Sequence, residues 1–478
     1  MPGDAIRAMV APLAPLGPGL WAVGGGVRDA LLGRPVADVD VAIDGDAAAA
    51  AAALARAHGA GRFRLSRAFG AWRVSGGSLP FQVDITPLQG ATIEEDLGRR
   101  DLTVNAIAVP VAEGAAPVDP LGGLADLRSR TLRMAGDGAF AADPVRLLRV
   151  ARLAEQLGFG VDAATAARAR RDAPRVWEAP PERLADELGR IASLPRADRA
   201  LAGLDALGAL GALVPELEDC RGVEQSPYHH KDVLGHILEV VEHAAELALD
   251  PEPVFRSRAP RVRALLEQPL ADDLTRGAGL MLGALLHDMA KAATRAVTPE
   301  GRITFMGHDR VGAEMADALM RRLRTSTRLR ETVARQVRWH LPLGFMVHRT
   351  PLSLRQIDGY LRLTAPSEVE IMVLSAADRL ATRGPRTSPS AITRHLVLAR
   401  EVMDVHLTLV DRGPQRPLLA GDEMAELLGR EPGPWLARLV EALRVEQLVG
   451  AVRTREQACK FALLWGADPH NATDQEHS

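Results

Sequence analysis

Two carboxylates spaced i, i+2 in an apolar run, with three glycines just upstream, are the residues of this chain best placed to do chemistry. Residues 24–40 read Gly24-Gly25-Gly26-Val27-Arg28-Asp29, then on to Asp38-Val39-Asp40. The apolar run Leu20-Trp21-Ala22-Val23 predicts a strand feeding the glycines, and a helix opens near Val27. A glycine turn at a helix N-terminus brings backbone N–H groups and the positive end of the helix dipole to a phosphate. Gly25 sits in that turn, and Arg28, one turn into the helix, adds a charged fork for phosphate oxygens. Val36 to Ile43 predicts a second strand, in which Asp38 and Asp40 point the same way. Parallel carboxylates repel unless a cation sits between them, and the ion expected here is Mg²⁺. Each feature alone is commonly a tight turn or a solvated face. Both within seventeen residues favour metal-assisted phosphate chemistry.

Other clusters carry similar potential. Asp84, in Phe81-Gln82-Val83-Asp84-Ile85-Thr86, reads either as a third carboxylate, acting as general base or metal ligand, or as an edge-strand surface residue. Arg99-Arg100-Asp101-Leu102-Thr103-Val104-Asn105 follows a short connector. Arg146, Arg149 and Arg152 recur every three residues after Asp143-Pro144, on neighbouring parts of one helix face, with Pro144 suited to the first helical position. Farther on stand His236, His287-Asp288 and Asp378, with His308 and His340 as additional candidates. Neutral imidazoles and carboxylates suit a divalent transition metal with water as nucleophile.

The elements that must position these groups change character along the chain. Residues 1–138 alternate strands and helices: Ala47 to Ala53 predicts a helix, Phe63 to Val74 and Phe81 to Thr86 predict strands. From Phe140 the pattern is helical. Residues 139–224 read as a helical neck, 225–385 as a His-rich helical domain, 390–465 as a C-terminal helical region and 466–478 as a disordered tail. The expected fold class is α+β, an α/β head followed by all-α regions, without internal repeats. The 478 residues suffice for several such units, and 47% hydrophobic content supports a substantial core. Aromatics are only 4%, so Ala, Leu and Val must do most of the packing. The formal charge of −3 excludes a nucleic-acid binder relying on overall basicity, though not a local basic groove. Two distant cysteines, Cys220 and Cys459, fit a reduced cytoplasmic setting. Neither a signal peptide nor a membrane span is expected.

The segment 24–40 resembles the signature of the nucleotidyltransferase superfamily, specifically the bacterial branch of tRNA 3′-end (CCA-adding) nucleotidyltransferases and poly(A) polymerases. Residues 97–108 resemble that family's Arg-Arg-Asp-Phe-Thr-x-Asn-Ala motif, with Leu102 in place of Phe. The resemblance implies that Arg100 contacts nucleotide phosphate, while Asp101 and Asn105 brace the site or bind ribose. Asp143 and Arg146 match the protein template that presents base-pair-like donors and acceptors to incoming CTP or ATP; Ala142 stands where the family usually has Glu. Arg149 and Arg152 extend that nucleotide-binding face. The turn Asp119 to Leu127 and the helix motif from Pro181 to Leu188 read as structural. His236, His287-Asp288 and Asp378 resemble the H…HD…D pattern of HD phosphohydrolases, which implies a metal site and leaves open hydrolysis of a cyclic or terminal RNA phosphate. Residues 417–452 resemble a tRNA-contacting region, in which Arg438, Arg444, Arg453 and Arg455 either meet phosphates or form a solvated face.

The implied reaction is attack of an RNA 3′-hydroxyl on the α-phosphorus of a nucleoside triphosphate, on Mg²⁺ held by Asp38 and Asp40. Partners are then tRNA, ATP and CTP. Full CCA addition is the first expectation. CC addition alone is the alternative, because CCA-adding relatives carry a longer flexible segment between the third-carboxylate strand and the Arg-Arg-Asp motif, thought to switch CTP to ATP; here it is short. A-adding activity, a poly(A) polymerase, and an HD phosphohydrolase whose head only binds nucleotide are the remaining readings.

Overall fold

The computed structural model describes residues 2–17, 19–67, 69–112 and 116–468. It divides into two compact units, residues 1–218 and 219–478.

The first unit is built on a six-stranded sheet of β1 (Leu20–Val23), β2 (Asp38–Ile43), β3 (Gly61–Arg64), β4 (Trp72–Ser75), β5 (Gln82–Pro87) and β6 (Ala108–Pro110), in the order β3-β4-β5-β2-β1-β6. Only β2 and β5 run parallel. Alternation splits the sheet into two faces. Val39, Val41, Val74, Val83 and Ile85 are essentially fully buried on one face. Asp38, Asp40, Asp84 and Arg73 lie on the other, and Asp40 pairs in register with Asp84, which pairs with Arg73.

Glycine turns the chain from β1 directly into helix α1 (Gly25–Leu31), two residues earlier than the sequence predicts. The alanine run forms α2 (Ala47–His58), capped by the Asp46 carboxylate, which accepts from the Ala48 and Ala49 N–H groups, and ended by Gly59 at φ 61°. The expected strand Phe63–Val74 is instead a hairpin. Leu65 and Ser66 N–H groups both donate to the Ala71 carbonyl, and the chain reverses through Gly70 at φ 65°. Helix α3 (Ile93–Gly98) leads into the Arg-Arg-Asp motif. Beyond the sheet come α4 (Arg146–Leu157) and α5 (Pro181–Ala192). Pro144 lies two residues before α4 rather than at its first position, with Asp143 extended at φ −152°.

The second unit is helical. Helices α6 (Val233–Leu249), α9 (Thr327–Trp339) and α10 (Glu368–Ala381) pack on α7 (Arg276–Leu286), in which every residue from Ala278 to Leu286 is buried, and α8 (His308–Arg322) packs on α9. After the long helix α11 (Pro389–Arg412), α12 (Gly421–Leu428), α13 (Pro434–Leu448) and α14 (Arg455–Ala467) enclose a small core around Trp435, Leu439 and Leu443. Helix α14 reaches Ala467, so the expected disordered tail does not start at 466; residues 469–478 lie outside the described residues. No helix among the described residues is long and apolar enough to cross a membrane.

Candidate functional site

A cavity of about 340 Å³ opens on the carboxylate face of the sheet, lined by Gly24, Gly25, Asp40, Arg100, Asp101, Asn105, Asp143, Arg146 and Arg149. Its volume is within the range of small-ligand sites. Four separated sequence segments meet here. Gly24, at φ 78° and ψ −146°, occupies a conformation that side chains rarely adopt. A Cβ on it would lie 2.6 Å from Asp40 Oδ2 and 3.1 Å from Arg100 Nη1. The glycine therefore lets the turn close onto the carboxylate and the guanidinium.

Asp40 stays solvent-accessible at the cavity mouth but is crowded by protein. Desolvation, with repulsion from Asp84 and Asp38, raises its carboxyl above the usual range, and Arg100 only partly counters this. Such mutual repulsion is what a bound divalent cation relieves, so the donor set fits one. Asp84 is in register but engaged: Arg73 Nε and Nη2 donate to its two oxygens at 2.7 Å each. That bidentate fork fixes the orientation of the carboxylate.

Behind the cavity runs a polar chain. Arg28 Nη1 donates to Asn105 Oδ1 at 2.7 Å, Asn105 Nδ2 donates to Asp101 Oδ1 at 3.0 Å, and Arg149 Nε lies 3.2 Å from Asp101 Oδ2. Burial opposes ionisation of Asp101, but Arg149, Asn105 and the Leu102 N–H hold its carboxyl below the usual range. Arg28 is buried and also forks onto Asp29, so it braces the loop and does not line the cavity, contrary to the expected phosphate fork. Arg100 lines the cavity while donating to Asp96.

Asp143 and Arg146 stand together, 3.9 Å apart, with their polar edges already engaged. Arg146 donates to the carbonyls of Arg99, Arg100 and Ala139, and Arg183 of α5 clamps both Asp143 oxygens at 3.0 and 2.8 Å. Arg152 departs from expectation. It pairs with Glu187 and Gln156 and does not line the cavity. A three-residue step rotates about 60° back around a helix of 3.6 residues per turn, so two steps carry Arg152 off the face that Arg146 presents. Arg73 and Arg183 were not singled out from the sequence. For Arg73 the signal was strand alternation opposite Asp84; for Arg183 it was the Arg within a motif read as purely structural.

The second unit carries a separate polar cluster at the end of α7. Asp288 is buried at its centre. Its carboxylate lies 3.1 Å from His287 Nε2, 3.2 Å from His308 Nε2, 3.5 Å from His236 Nε2 and 3.7 Å from His340 Nε2, and Lys291 Nζ is 2.6 Å away. Asp378 Oδ1 is 3.0 Å from His236 Nε2. Two three-residue groups could each hold a metal ion: His236, His287 and Asp378, and Asp288, His308 and His340. The tautomers agree with that. Nδ1 of His287, His308 and His340 donates to the carbonyl three residues back, at 2.8, 2.6 and 2.7 Å, which turns each Nε2 lone pair inward. The buried Nε2 atoms of His236, His287 and His308 have no hydrogen-bond partner within ordinary limits. Burial depresses His236 and pushes His340 down to about 4, favouring the neutral form that a ligand needs, whereas the Asp288 carboxylate outweighs burial and raises His287 and His308. Asp288 is held well below the carboxylate range: burial opposes this, but His287 and Lys291 prevail. His308 and His340, additional candidates in the sequence, thus join the four expected residues.

In the C-terminal helices, Arg444 pairs with Glu441 and Asp358, Arg455 with Glu423, and Arg453 donates to the Gly450 carbonyl. These three are engaged within the protein.

Comparison with known proteins agrees with this geometry. Residues 20–88 and 71–133 match the Poly A polymerase head domain, residues 158–221 the probable RNA and SrmB-binding site of polymerase A, and residues 233–383 the HD domain. An A-adding tRNA nucleotidyltransferase of Deinococcus radiodurans is 35% identical over 469 residues, 96% of this chain and 98% of the relative. A CC-adding tRNA nucleotidyltransferase of Thermus thermophilus is 36% identical over 455 residues, 93% of each chain. Among solved structures, the CCA-adding enzyme of Thermotoga maritima complexed with tRNA shares the fold with a TM-score of 0.63 at 18% identity, covering 96% of this chain and 95% of that one. With glycine turn, paired carboxylates, Arg-Arg-Asp motif and HD cluster all in their places, this chain belongs to the bacterial tRNA nucleotidyltransferase and poly(A) polymerase family.

Proposed function

We propose that this protein extends the 3′ end of tRNA by transferring nucleotides from CTP and ATP, with release of pyrophosphate. The observation that carries this is the single cavity in which the glycine turn, Asp40, the Arg-Arg-Asp motif and the Asp143/Arg146 pair converge. Asp38 and Asp40 would hold Mg²⁺, which when bound would supply Lewis-acid chemistry at the phosphate. The triphosphate lies against Gly24 and Gly25 with Arg100 countering its charge. Asp101 and Asn105 orient the ribose, and Arg149 keeps Asp101 ionised. Asp143 and Arg146 read the base edge once Arg183 releases the carboxylate. Asp84 lies beside the metal-binding pair with both its oxygens engaged by Arg73. Substrates of this kind place the enzyme in the cytoplasm.

A second reading, CC addition alone, is favoured by the connector between β5 and α3. It is only residues 88–92, and it is tied down: Leu88 N–H donates to Ile43 O at 3.0 Å, Gln89 N–H to Asp96 Oδ1 at 3.0 Å and Ala91 N–H to Glu95 Oε2 at 2.9 Å. A segment so anchored is poorly suited to switch the site from CTP to ATP. Incubating the protein and Mg²⁺ with tRNAs ending at the discriminator base, at C and at CC, with labelled CTP, ATP or both, tests both readings. Completion to CCA supports the first, arrest at CC the second, and no incorporation on any primer refutes the proposal.

The HD cluster supports a further metal-dependent step. Its imidazole and carboxylate donors suit a divalent transition metal, and hydrolysis of a cyclic or terminal RNA phosphate is the chemistry it fits. Metal content and phosphate release by wild type and His287→Ala test it.

A further inference from the structure

One surface of the first unit is unused by the chemistry above. Between Asp46 and Asp84 there is no acidic residue, and five arginines, Arg56, Arg62, Arg64, Arg67 and Arg73, fall in this stretch of a chain whose net charge is −3. Within it the hairpin reads Arg62-Phe63-Arg64-Leu65-Ser66-Arg67, then Phe69-Gly70-Ala71-Trp72-Arg73. Strand β3 is the edge of the sheet and is exposed along its whole length.

Three large apolar side chains of this hairpin face solvent: Phe63 is 51% exposed, Leu65 46% and Phe69 62%. The register fixes where Phe63 points. Phe63 pairs with Arg73, Arg73 with Asp84 and Asp84 with Asp40, so all four lie on one face in one row across the sheet. Three strand spacings separate Phe63 from Asp40, about 14 Å. Arg62 and Arg64 alternate to the other face, where their guanidinium carbons lie 5.3 and 5.4 Å from the Trp72 ring centre. None of Arg62, Arg64 and Arg67 has a carboxylate partner among the described residues, whereas Arg73 is taken by Asp84.

Exposed aromatic faces interleaved with unpaired arginines, beside a carboxylate row, have the composition that binds a nucleic-acid strand. Base faces stack on the rings and phosphates meet the guanidinium groups. An apolar protein partner would not call for the uninterrupted positive charge. The nucleoside triphosphate has its own cavity, of which no hairpin residue is a part. We infer that the β3–β4 hairpin is a shelf for the primer RNA strand: Phe63 and Phe69 support its bases, Arg67 its phosphates, and so its 3′-hydroxyl is led along the sheet to Asp38 and Asp40. The inference rests on the nucleotidyl-transfer reading.

The test uses the full-length protein and a labelled tRNA primer. The double variant Phe63→Ala/Phe69→Ala should raise KM for tRNA and weaken tRNA binding about tenfold, with less than a twofold change in KM for CTP. Phe63→Trp should retain wild-type affinity, since a larger ring preserves stacking. Arg67→Ala should lower the slope of log Kd against log salt by about one, the value of one lost phosphate contact, whereas Arg64→Ala, on the opposite face, should leave it unchanged. Wild-type tRNA affinity in Phe63→Ala/Phe69→Ala and a wild-type salt slope in Arg67→Ala, while the wild type extends tRNA normally, would overturn the shelf and leave the activity standing. Failure of the wild type to extend any tRNA would overturn the activity and the shelf with it.

Discussion

Gly24→Ala isolates the contact on which the head site depends. The added Cβ would lie 2.6 Å from Asp40 Oδ2. Ordinary contact begins near 3.4 Å, so the carboxylate must retreat by roughly 0.8 Å, or the turn must open by as much. Misplacement on the scale of 1 Å costs about 100-fold in rate where geometry governs the reaction. Forcing alanine to φ 78° adds about 1–3 kcal/mol of backbone strain, which lowers Tm by a few degrees in a unit of this size. Gly25→Ala is the internal comparison. Its Cβ would meet only the Arg28 side chain, at 3.5 Å, and its φ is not in the left-handed region. The assay is single-nucleotide extension of tRNA by CTP, read as kcat/KM, with a thermal melt of each variant. The expected result is a loss of about 100-fold for Gly24→Ala with a lowered Tm, and an unchanged Tm for Gly25→Ala. Near-normal extension by Gly24→Ala, or equal destabilisation by both variants, would refute the steric argument.

Other consequences follow from the same geometry. Arg149→Ala removes the charge that keeps buried Asp101 ionised and should lower kcat/KM for CTP by tenfold or more, whereas Arg152→Ala, which breaks the contacts with Glu187 and Gln156, should change it less than threefold; equal losses would restore Arg152 to the nucleotide site. Asp288→Ala withdraws the carboxylate of one of the two candidate metal groups, so metal per chain measured by mass spectrometry after dialysis should fall clearly below the wild-type content in the absence of added Mg²⁺, while Asp38→Ala leaves that content intact. The reverse pattern would disprove the HD assignment. Burial pushes the Cys220 thiol up to about 11. At pH 8 only about one thiol in a thousand is then the reactive thiolate, so iodoacetamide should alkylate Cys459 in the native protein and Cys220 only after unfolding, as peptide mapping would show.

How much of this was legible from the sequence depends on the range of the interaction involved. Local rules were reliable. Period-two alternation put Asp38 and Asp40 on one face, the alanine run made a helix, and the glycines made the turn. Each of these depends on backbone geometry within a few residues. The family motifs likewise located Arg100, Asp101, Asn105, Asp143, Arg146 and Arg149 around one cavity. Where a pattern had to be extrapolated it failed: helical drift turned Arg152 away, and a reversal of the chain between Arg64 and Trp72 broke one expected strand into a hairpin.

The pairings between distant segments were decided by the tertiary structure alone. Arg28 reads as a phosphate fork until packing buries it against Asn105, 77 residues away. Asp84 reads as a free base until strand pairing brings Arg73 beside it, and Asp143 as a free template until α5 supplies Arg183. His308 and His340 follow Asp288 by 20 and 52 residues and share no helical face with it; only the packing of α7, α8 and α9 aims their Nε2 atoms at one carboxylate. Sequence by itself determined which chemical groups this protein has and which way each leaves its own strand or helix. Which of them are neutralised, and which are left facing one another with unsatisfied charge or lone pairs, is a matter of distances across the fold, because Coulomb and hydrogen-bond energies act over ångströms in space and are indifferent to separation along the chain.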